Sequence, residues 1–159
     1  MAGAAEQTDA TSGVRVAPPL FYLAGLAAGV GLELAFPIDG PPTWVRIVVA
    51  VIGVALAIFF DGSATARFLR AETSIIPFKP TTALVTDGPY RFTRNPMYVG
   101  MAFLYVAIAV GFGLIWALVL LPLVLLAVDR LVIAKEEPYL ERLFGEQYLD
   151  YKRRVRRWL

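Results

Sequence analysis

Two clusters carry the residue types that could do chemistry. The first is Gly88-Pro89-Tyr90-Arg91-Phe92-Thr93-Arg94-Asn95-Pro96-Met97-Tyr98-Val99-Gly100, a cationic, turn-forming, aromatic segment leading straight into a long apolar run. The second is Glu136-Glu137-Pro138-Tyr139, where that run ends in paired carboxylates. A chain that only spanned a bilayer has no reason to carry either. Asn95-Pro96 is a helix start, because Asn is a favoured N-cap and Pro fits the first turn. The same N-terminus offers free N–H groups and positive potential, suited to a carboxylate or phosphate. Arg91 and Arg94 add charge there, either toward a ligand or as anchors on the basic side of a membrane. Glu136 and Glu137 read as a solvated helix start or as partners for an ammonium or hydroxyl groups. A pocket with positive groups for a carboxylate and negative groups for an amine suits an amino-acid-like ligand. Tyr90, Tyr98 and Tyr139 can flank a planar ring or a sulfonium by cation–π contact, or belong to an interfacial aromatic belt.

Composition sets the class. With 159 residues the chain is at most one domain. Its 58% hydrophobic content exceeds the ordinary globular share of roughly 45–50%, and the mean hydropathy is +0.63. There is no cysteine and no histidine, which argues against disulfides, thiolate nucleophiles, metal sites and catalytic triads. The net charge is only +2, but Lys152-Arg153-Arg154-Val155-Arg156-Arg157, beside Tyr151 and Trp158, forms a polybasic tail. Next to apolar spans such a tail reads as a surface for anionic lipid headgroups rather than for nucleic acid.

The elements that must position the clusters follow from the apolar runs. Residues 1–17 read as a disordered cytosolic tail, and 18–159 as a single membrane domain. The runs Leu20–Phe36 and Trp44–Phe60 are stopped by Pro37 and by Asp61-Gly62. Each measures ~26 Å at 1.5 Å per residue, near the lower limit for a spanning helix. The block Met97–Ala134 is too long for one span, and Gly111-Phe112-Gly113 offers a tight turn within it. Four spans result, over about 20–36, 44–60, 97–111 and 114–133, the last kinked at Pro122. Between the second and third, Ser63 caps a short interfacial helix, and Pro77, Pro80 and the stretch to Pro89 read as irregular loop. A cytosolic C-terminal helix occupies 136–157, amphipathic from Glu136 to about Tyr151 through Tyr139, Leu140, Leu143, Phe144 and Tyr148, with Gly145 a modest interruption. Gly25, Gly29 and Gly100 permit close helix packing, and the glycine-bearing faces allow a dimer. Glu33 is explained by snorkelling to the interface. With both termini inside, every Lys and Arg except Arg46 falls on the cytosolic side. The fold class is an all-α integral membrane protein.

At these residues the chain resembles the isoprenylcysteine carboxyl methyltransferases and their phospholipid methyltransferase relatives. The family pattern is Gly-x-Tyr-Arg, Arg-His-Pro-x-Tyr-x-Gly, a hairpin of two spans, Glu-Glu, and a tail like Phe-Gly-x-x-Tyr-x-x-Tyr-x-x-Arg-Val. This chain supplies Gly88, Tyr90, Arg91, Arg94, Pro96, Tyr98 and Gly100, then Glu136, Glu137, Phe144, Gly145, Tyr148, Tyr151, Arg154 and Val155. The resemblance covers about residues 80–159, with Asn95 where the family usually has His. It implies an enzyme using S-adenosylmethionine, without a metal, and leaving S-adenosylhomocysteine. Tyr90, Arg91, Arg94, Asn95, Pro96, Tyr98, Gly100, Glu136 and Glu137 would hold the cofactor at the cytosolic face. Arg130 would hold a substrate carboxylate or phosphate, unless it is an anchor paired with Asp129 or headgroups, and an amine acceptor would lose its proton to water or to one of the glutamates, with Glu137 the catalytic candidate. The partners are membrane lipids and a lipophilic or lipidated acceptor presenting a carboxylate, amine or thiol. Two other readings stand beside it: an NADPH-dependent reductase of sterol-like substrates, and a non-catalytic lipid-binding membrane protein.

Overall fold

The computed structural model describes residues 12–72 and 81–159. The expectations for residues 1–11 and for the loop around Pro77 and Pro80 lie outside the described residues. The chain is all-α, with no strand among the described residues. Pro18 and Pro19 open α1, Pro18–Ala35, which ends just before Pro37. The helix α2, Thr43–Arg70, is followed by a single 3-10 turn over Gly88–Arg91. Pro96 opens α3, Pro96–Phe112, and Gly113 closes it in the left-handed conformation at φ 72°. Next come α4, Ile115–Phe144, and α5, Glu146–Arg154. By length and composition, α1, α2 and α4 can each cross a membrane, and α3 is a shorter apolar helix of 17 residues.

Two expected breaks are absent. Asp61-Gly62 does not stop α2. Gly62 keeps right-handed helical angles (φ −64°, ψ −45°), and the helix widens into a π turn over Ile58–Gly62 before continuing. A helical glycine costs only about 1 kcal/mol, so packing decides the outcome. Ser63 is therefore not an N-cap; its hydroxyl donates back to the Phe59 carbonyl. Likewise the last span and the amphipathic helix beyond it are one helix, running through Pro122, a second π turn over Asp129–Ile133, and Pro138. The real break is Gly145, at φ 52° and ψ −131°, a conformation a Cβ would make costly.

The pairings α2 with α3 and α1 with α4 dominate the packing. In the first, Gly53 sits on Ala107 and the Phe60 ring stacks on Phe103 at 5.8 Å. In the second, a Cβ on Gly29 would lie 2.6 Å from Ala117 Cα, and one on Gly25 would strike Val124. These two glycines are thus used inside the chain rather than on a dimer face. Val14 is buried in the same cluster as Tyr22, Tyr105 and Val128, while Gly13, Arg15 and Val16 beside it are exposed. Leu23, Leu34, Val51, Ile58 and Leu123 point outward, the arrangement of a helix bundle surrounded by lipid. At the ends away from the signature, Glu33 accepts from the backbone N–H of Ile38 at 2.8 Å and that of Trp116 at 3.4 Å, so it caps the turn rather than merely reaching for water.

A second cluster lies beneath α5. Tyr148 and Tyr151 pack with Tyr90, Val85 and Ala64, which folds the amphipathic stretch back onto the signature. Leu143 is left exposed, because the turn at Gly145 rotates the stripe away from it.

Candidate functional site

The signature is held from both sides. Arg67 of α2 fills the space where a Cβ on Gly88 would stand, and its Nε lies 3.1 Å from Asp87. Gly88 itself has φ 60°, so only glycine serves here. The Tyr151 hydroxyl donates to the Tyr90 carbonyl at 2.7 Å. Burial holds the phenols of Tyr90, Tyr148 and Tyr151 above their ordinary range, so all three stay protonated at neutral pH.

The segment 155–158 lies extended along residues 93–95. The Arg94 N–H donates to the Arg156 carbonyl at 2.8 Å. The Thr93 hydroxyl donates to the Arg157 carbonyl at 2.9 Å, and the Asn95 side-chain amide donates to the same carbonyl at 3.0 Å. Asn95 occupies the N-cap position, but its side chain makes no capping hydrogen bond. That side chain is committed to the 155–158 segment instead, which corrects the capping expectation.

Consecutive glutamates do different work. Glu137 accepts from Arg94 Nη2 at 2.7 Å and from Arg157 Nη2 at 2.6 Å. Arg94 and Glu137 retain only 9% and 5% side-chain exposure, and Arg94 Nη1 is also satisfied by the Val155 carbonyl at 2.5 Å. Hydrogen bonds to Glu137 and then to Asp129 hold the Arg157 guanidinium charged beyond its ordinary range. Glu136 instead accepts from the Tyr98 hydroxyl at 2.8 Å. Together Tyr90, Arg94, Asn95, Glu136 and Glu137 line one cavity with Tyr148 and Tyr151. Cationic and amide donors, carboxylates and aromatic faces meet there.

Other expected residues fall elsewhere. Arg91 lines a separate surface concavity with Asp87 and Arg154. The Arg130 side chain is 74% exposed and lies 3.7 Å from Asp129, outside the cavity lined by the signature and the paired glutamates. Pro96 starts α3 at the cavity wall. Gly100 packs against the carboxylate of Asp61. The tail is not a uniform basic strip: Lys152 pairs with Glu141 at 2.5 Å, Arg153 with Asp150, and Arg157 turns inward to Glu137 and Asp129. Sequence reasoning took Arg157 only as part of the polybasic tail, Thr93 only as part of the signature, Asp61 only as a helix stop and Asp129 only as a partner of Arg130. The lone acid in an apolar helix was the one local signal available. An apolar groove of about 610 Å³ runs between α3 and α4, with Asp129 and Trp158 at its polar end. Among the described residues no group of three or more acidic side chains is placed to hold a metal ion.

Residues 45–147 match the family model described as phospholipid methyltransferase. The chain is 33% identical over 124 residues to the protein-S-isoprenylcysteine O-methyltransferase of Mus musculus, covering 71% of this chain and 40% of the mouse protein. It is 36% identical over 72 residues to the Schizosaccharomyces pombe protein of the same name, covering 45% of this chain and 30% of that one. An uncharacterized Haemophilus influenzae protein is 38% identical over 65 residues, 40% of this chain and 100% of its own length. The chain thus spans less than half the length of the two isoprenylcysteine methyltransferases. No solved structure matches. The match over residues 45–147, well over half of the sequence and including both the signature and the paired glutamates, makes this chain a member of the phospholipid methyltransferase family.

Proposed function

We propose that this protein transfers a methyl group from S-adenosylmethionine to a lipophilic or membrane-partitioned acceptor. The observation that carries the reading is the single cavity lined by Arg94, Asn95, Glu136 and the buried tyrosines. The lining fits the cofactor: Glu136 suits its ammonium and the tyrosine faces its adenine or sulfonium, while Arg94 and Asn95, engaged by Glu137 and the 155–158 segment, give the wall its positive charge and its shape. The cofactor supplies an electrophilic methyl group on sulfur. The chain's residues bind, orient and exclude water, which is most of what an in-line displacement requires.

Glu137 acts as a strut in this reading, since Arg94 and Arg157 already occupy its oxygens. Glu136, whose one hydrogen-bond donor among the described residues is Tyr98, is the carboxylate available to a ligand. The cavity measures about 60 Å³, smaller than a nucleoside, so binding spreads its walls. The non-helical stretch around Thr81 and Val85 is the wall not built on a helix. The basic residues gather at the signature end of the bundle, which the positive-inside rule makes cytosolic along with both termini. Residues 18–159 act as one membrane domain.

Titration of the purified protein in nanodiscs with S-adenosylhomocysteine, with NADPH in a parallel calorimeter cell, tests the reading. Saturable one-site binding of S-adenosylhomocysteine alone is expected. Binding of NADPH alone would replace the methyltransferase by a reductase, and binding of neither by folded protein would leave a lipid-binding scaffold.

A further inference from the structure

The folded chain pairs off several cations near its C-terminus. Lys152 meets Glu141, Arg153 meets Asp150, and Arg157 meets Glu137 and Asp129. Two exposed arginines face one surface concavity of about 430 Å³ instead, where Arg91 and Arg154 stand with Thr86, Asp87, Tyr151 and Val155. Among the described residues Arg91 makes no hydrogen bond or ion pair. Arg154 donates through Nε to the Asp150 carbonyl at 3.2 Å, which leaves its terminal nitrogens open. The one carboxylate of the lining, Asp87, is already answered by Arg67 of α2 at 3.1 Å. The concavity therefore holds two unmatched cations whose donors are unspent.

The two arginines come from separate elements. Arg91 ends the 3-10 turn Gly88–Arg91 and Arg154 ends α5, so an anion between them would tie those ends together. Guanidinium forks suit phosphate oxygens, and two of them match the charge of about −1.5 to −2 that a phosphate monoester carries at pH 7. A zwitterionic headgroup brings one negative charge together with its own cation, and matches them less well. Phe92, next to Arg91, is 61% exposed, and an apolar side chain beside a cation is what a lipid surface takes. The concavity also backs onto the cofactor cavity. Tyr151 lines both, and its hydroxyl donates to the Tyr90 carbonyl at 2.7 Å. The carbonyl of Val155 holds Arg94 at 2.5 Å.

We propose that this concavity is a second ligand site, which takes a phosphate monoester between Arg91 and Arg154, and that its occupation tightens the cofactor cavity behind it. The ligand is an effector and not the methyl acceptor, since Tyr151 is the wall common to the two cavities. Two sources offer that chemistry: the headgroup of an anionic membrane lipid and a soluble phosphate ester. With the anion in place, the end of α5 is fastened to the signature turn. Tyr151 and Val155 are then held where they support Tyr90 and Arg94. The coupling rests on the methyltransferase reading, whereas the anion site stands without it. Linkage makes the effect mutual, so a filled cofactor cavity should strengthen anion binding by the same factor.

The test uses the full chain in phosphatidylcholine nanodiscs, with dioleoyl phosphatidic acid and glycerol 3-phosphate as probes. Native mass spectrometry counts retained lipid, and calorimetry follows glycerol 3-phosphate and S-adenosylhomocysteine. The wild type should hold one probe at a single site; phosphatidic acid marks a lipid headgroup and glycerol 3-phosphate a soluble ester. Arg91→Gln and Arg154→Gln should each weaken that binding about tenfold. Arg154→Lys, which keeps the charge without the fork, should recover part of it. Arg153→Gln removes the same charge outside the concavity and should alter binding by no more than about twofold. Bound probe should raise the S-adenosylhomocysteine affinity of the wild type about fivefold and leave that of Arg154→Gln unmoved. Binding of neither probe, full binding in Arg91→Gln or Arg154→Gln, or an equal loss in Arg153→Gln overturns the site. So does an Arg91→Gln protein that loses S-adenosylhomocysteine in discs of phosphatidylcholine alone, since Arg91 then belongs to the cofactor. A probe that binds without moving wild-type S-adenosylhomocysteine affinity overturns the coupling. If the wild type binds no S-adenosylhomocysteine yet holds the probe through Arg91 and Arg154, the methyltransferase reading fails and the anion site stands.

Discussion

Arg94 and Arg157 close on the same carboxylate. Arg94 reaches Glu137 Oε1 at 2.7 Å and Arg157 reaches Oε2 at 2.6 Å, so the signature loop, α4 and the 155–158 segment meet at one buried anion. Breaking such a pair by deleting one partner strands a charge away from water, at about 3–5 kcal/mol.

Glu137→Gln should therefore lower stability by about 3 kcal/mol, because two cations lose their shared anion. Unfolding in detergent measures it. A variant of wild-type stability that has lost S-adenosylhomocysteine would make Glu137 a ligand and not a strut.

Tyr98→Phe should act the other way. It removes the donor to Glu136 and leaves the helix contacts in place, so S-adenosylhomocysteine binding should weaken by about 1–3 kcal/mol with a smaller loss of stability than Glu137→Gln. Calorimetry and unfolding on the same preparation separate the two effects.

Asn95 donates to the Arg157 carbonyl, and its replacements should follow that bond. Asn95→Asp sets an acceptor against an acceptor and should cost about 1–3 kcal/mol of stability. Asn95→His, the residue usual in the family pattern, keeps an N–H and should hold the 155–158 segment in place. Protease susceptibility of that segment, followed by mass, distinguishes them.

Gly29 and Gly31 make a paired test of the α1–α4 contact. A Cβ at Gly29 meets Ala117 atoms at 2.6 Å, whereas one at Gly31 meets nothing within 4 Å. Gly29→Ala should destabilise by about 1–3 kcal/mol through overpacking. Gly31→Ala should change stability by no more than about 1 kcal/mol.

Much of the fold was legible because it is local. Pro96 and Gly113 punctuate α3 by their own backbone preferences, and the apolar runs mark the spans by length. Asp61-Gly62 misled because a glycine stops a helix only if nothing else holds it, and here Phe103 and Gly100 on another helix do. The polybasic tail misled for the same kind of reason. Composition reads Arg157 as one cation among several, while its partners Asp129 and Glu137 lie 28 and 20 positions away. Within the site, Glu136 and Glu137 were found together by their adjacency, but their division of labour depends on which neighbours the folded chain brings to each.

The two π turns bear on how this protein can change over generations. In a regular α-helix one added residue swings everything beyond it by about 100°. A π turn takes up the added residue locally, so Gly53, Ala57, Phe60 and Ala64 all remain buried across the turn in α2, and Val128, Val132 and Ile133 do so in α4. Single-residue gains and losses should accordingly be survivable at Ile58–Gly62 and Asp129–Ile133 and ruinous elsewhere in these helices. Homologous chains of unequal length would then differ at those two points, each a slack link in an otherwise rigid ruler.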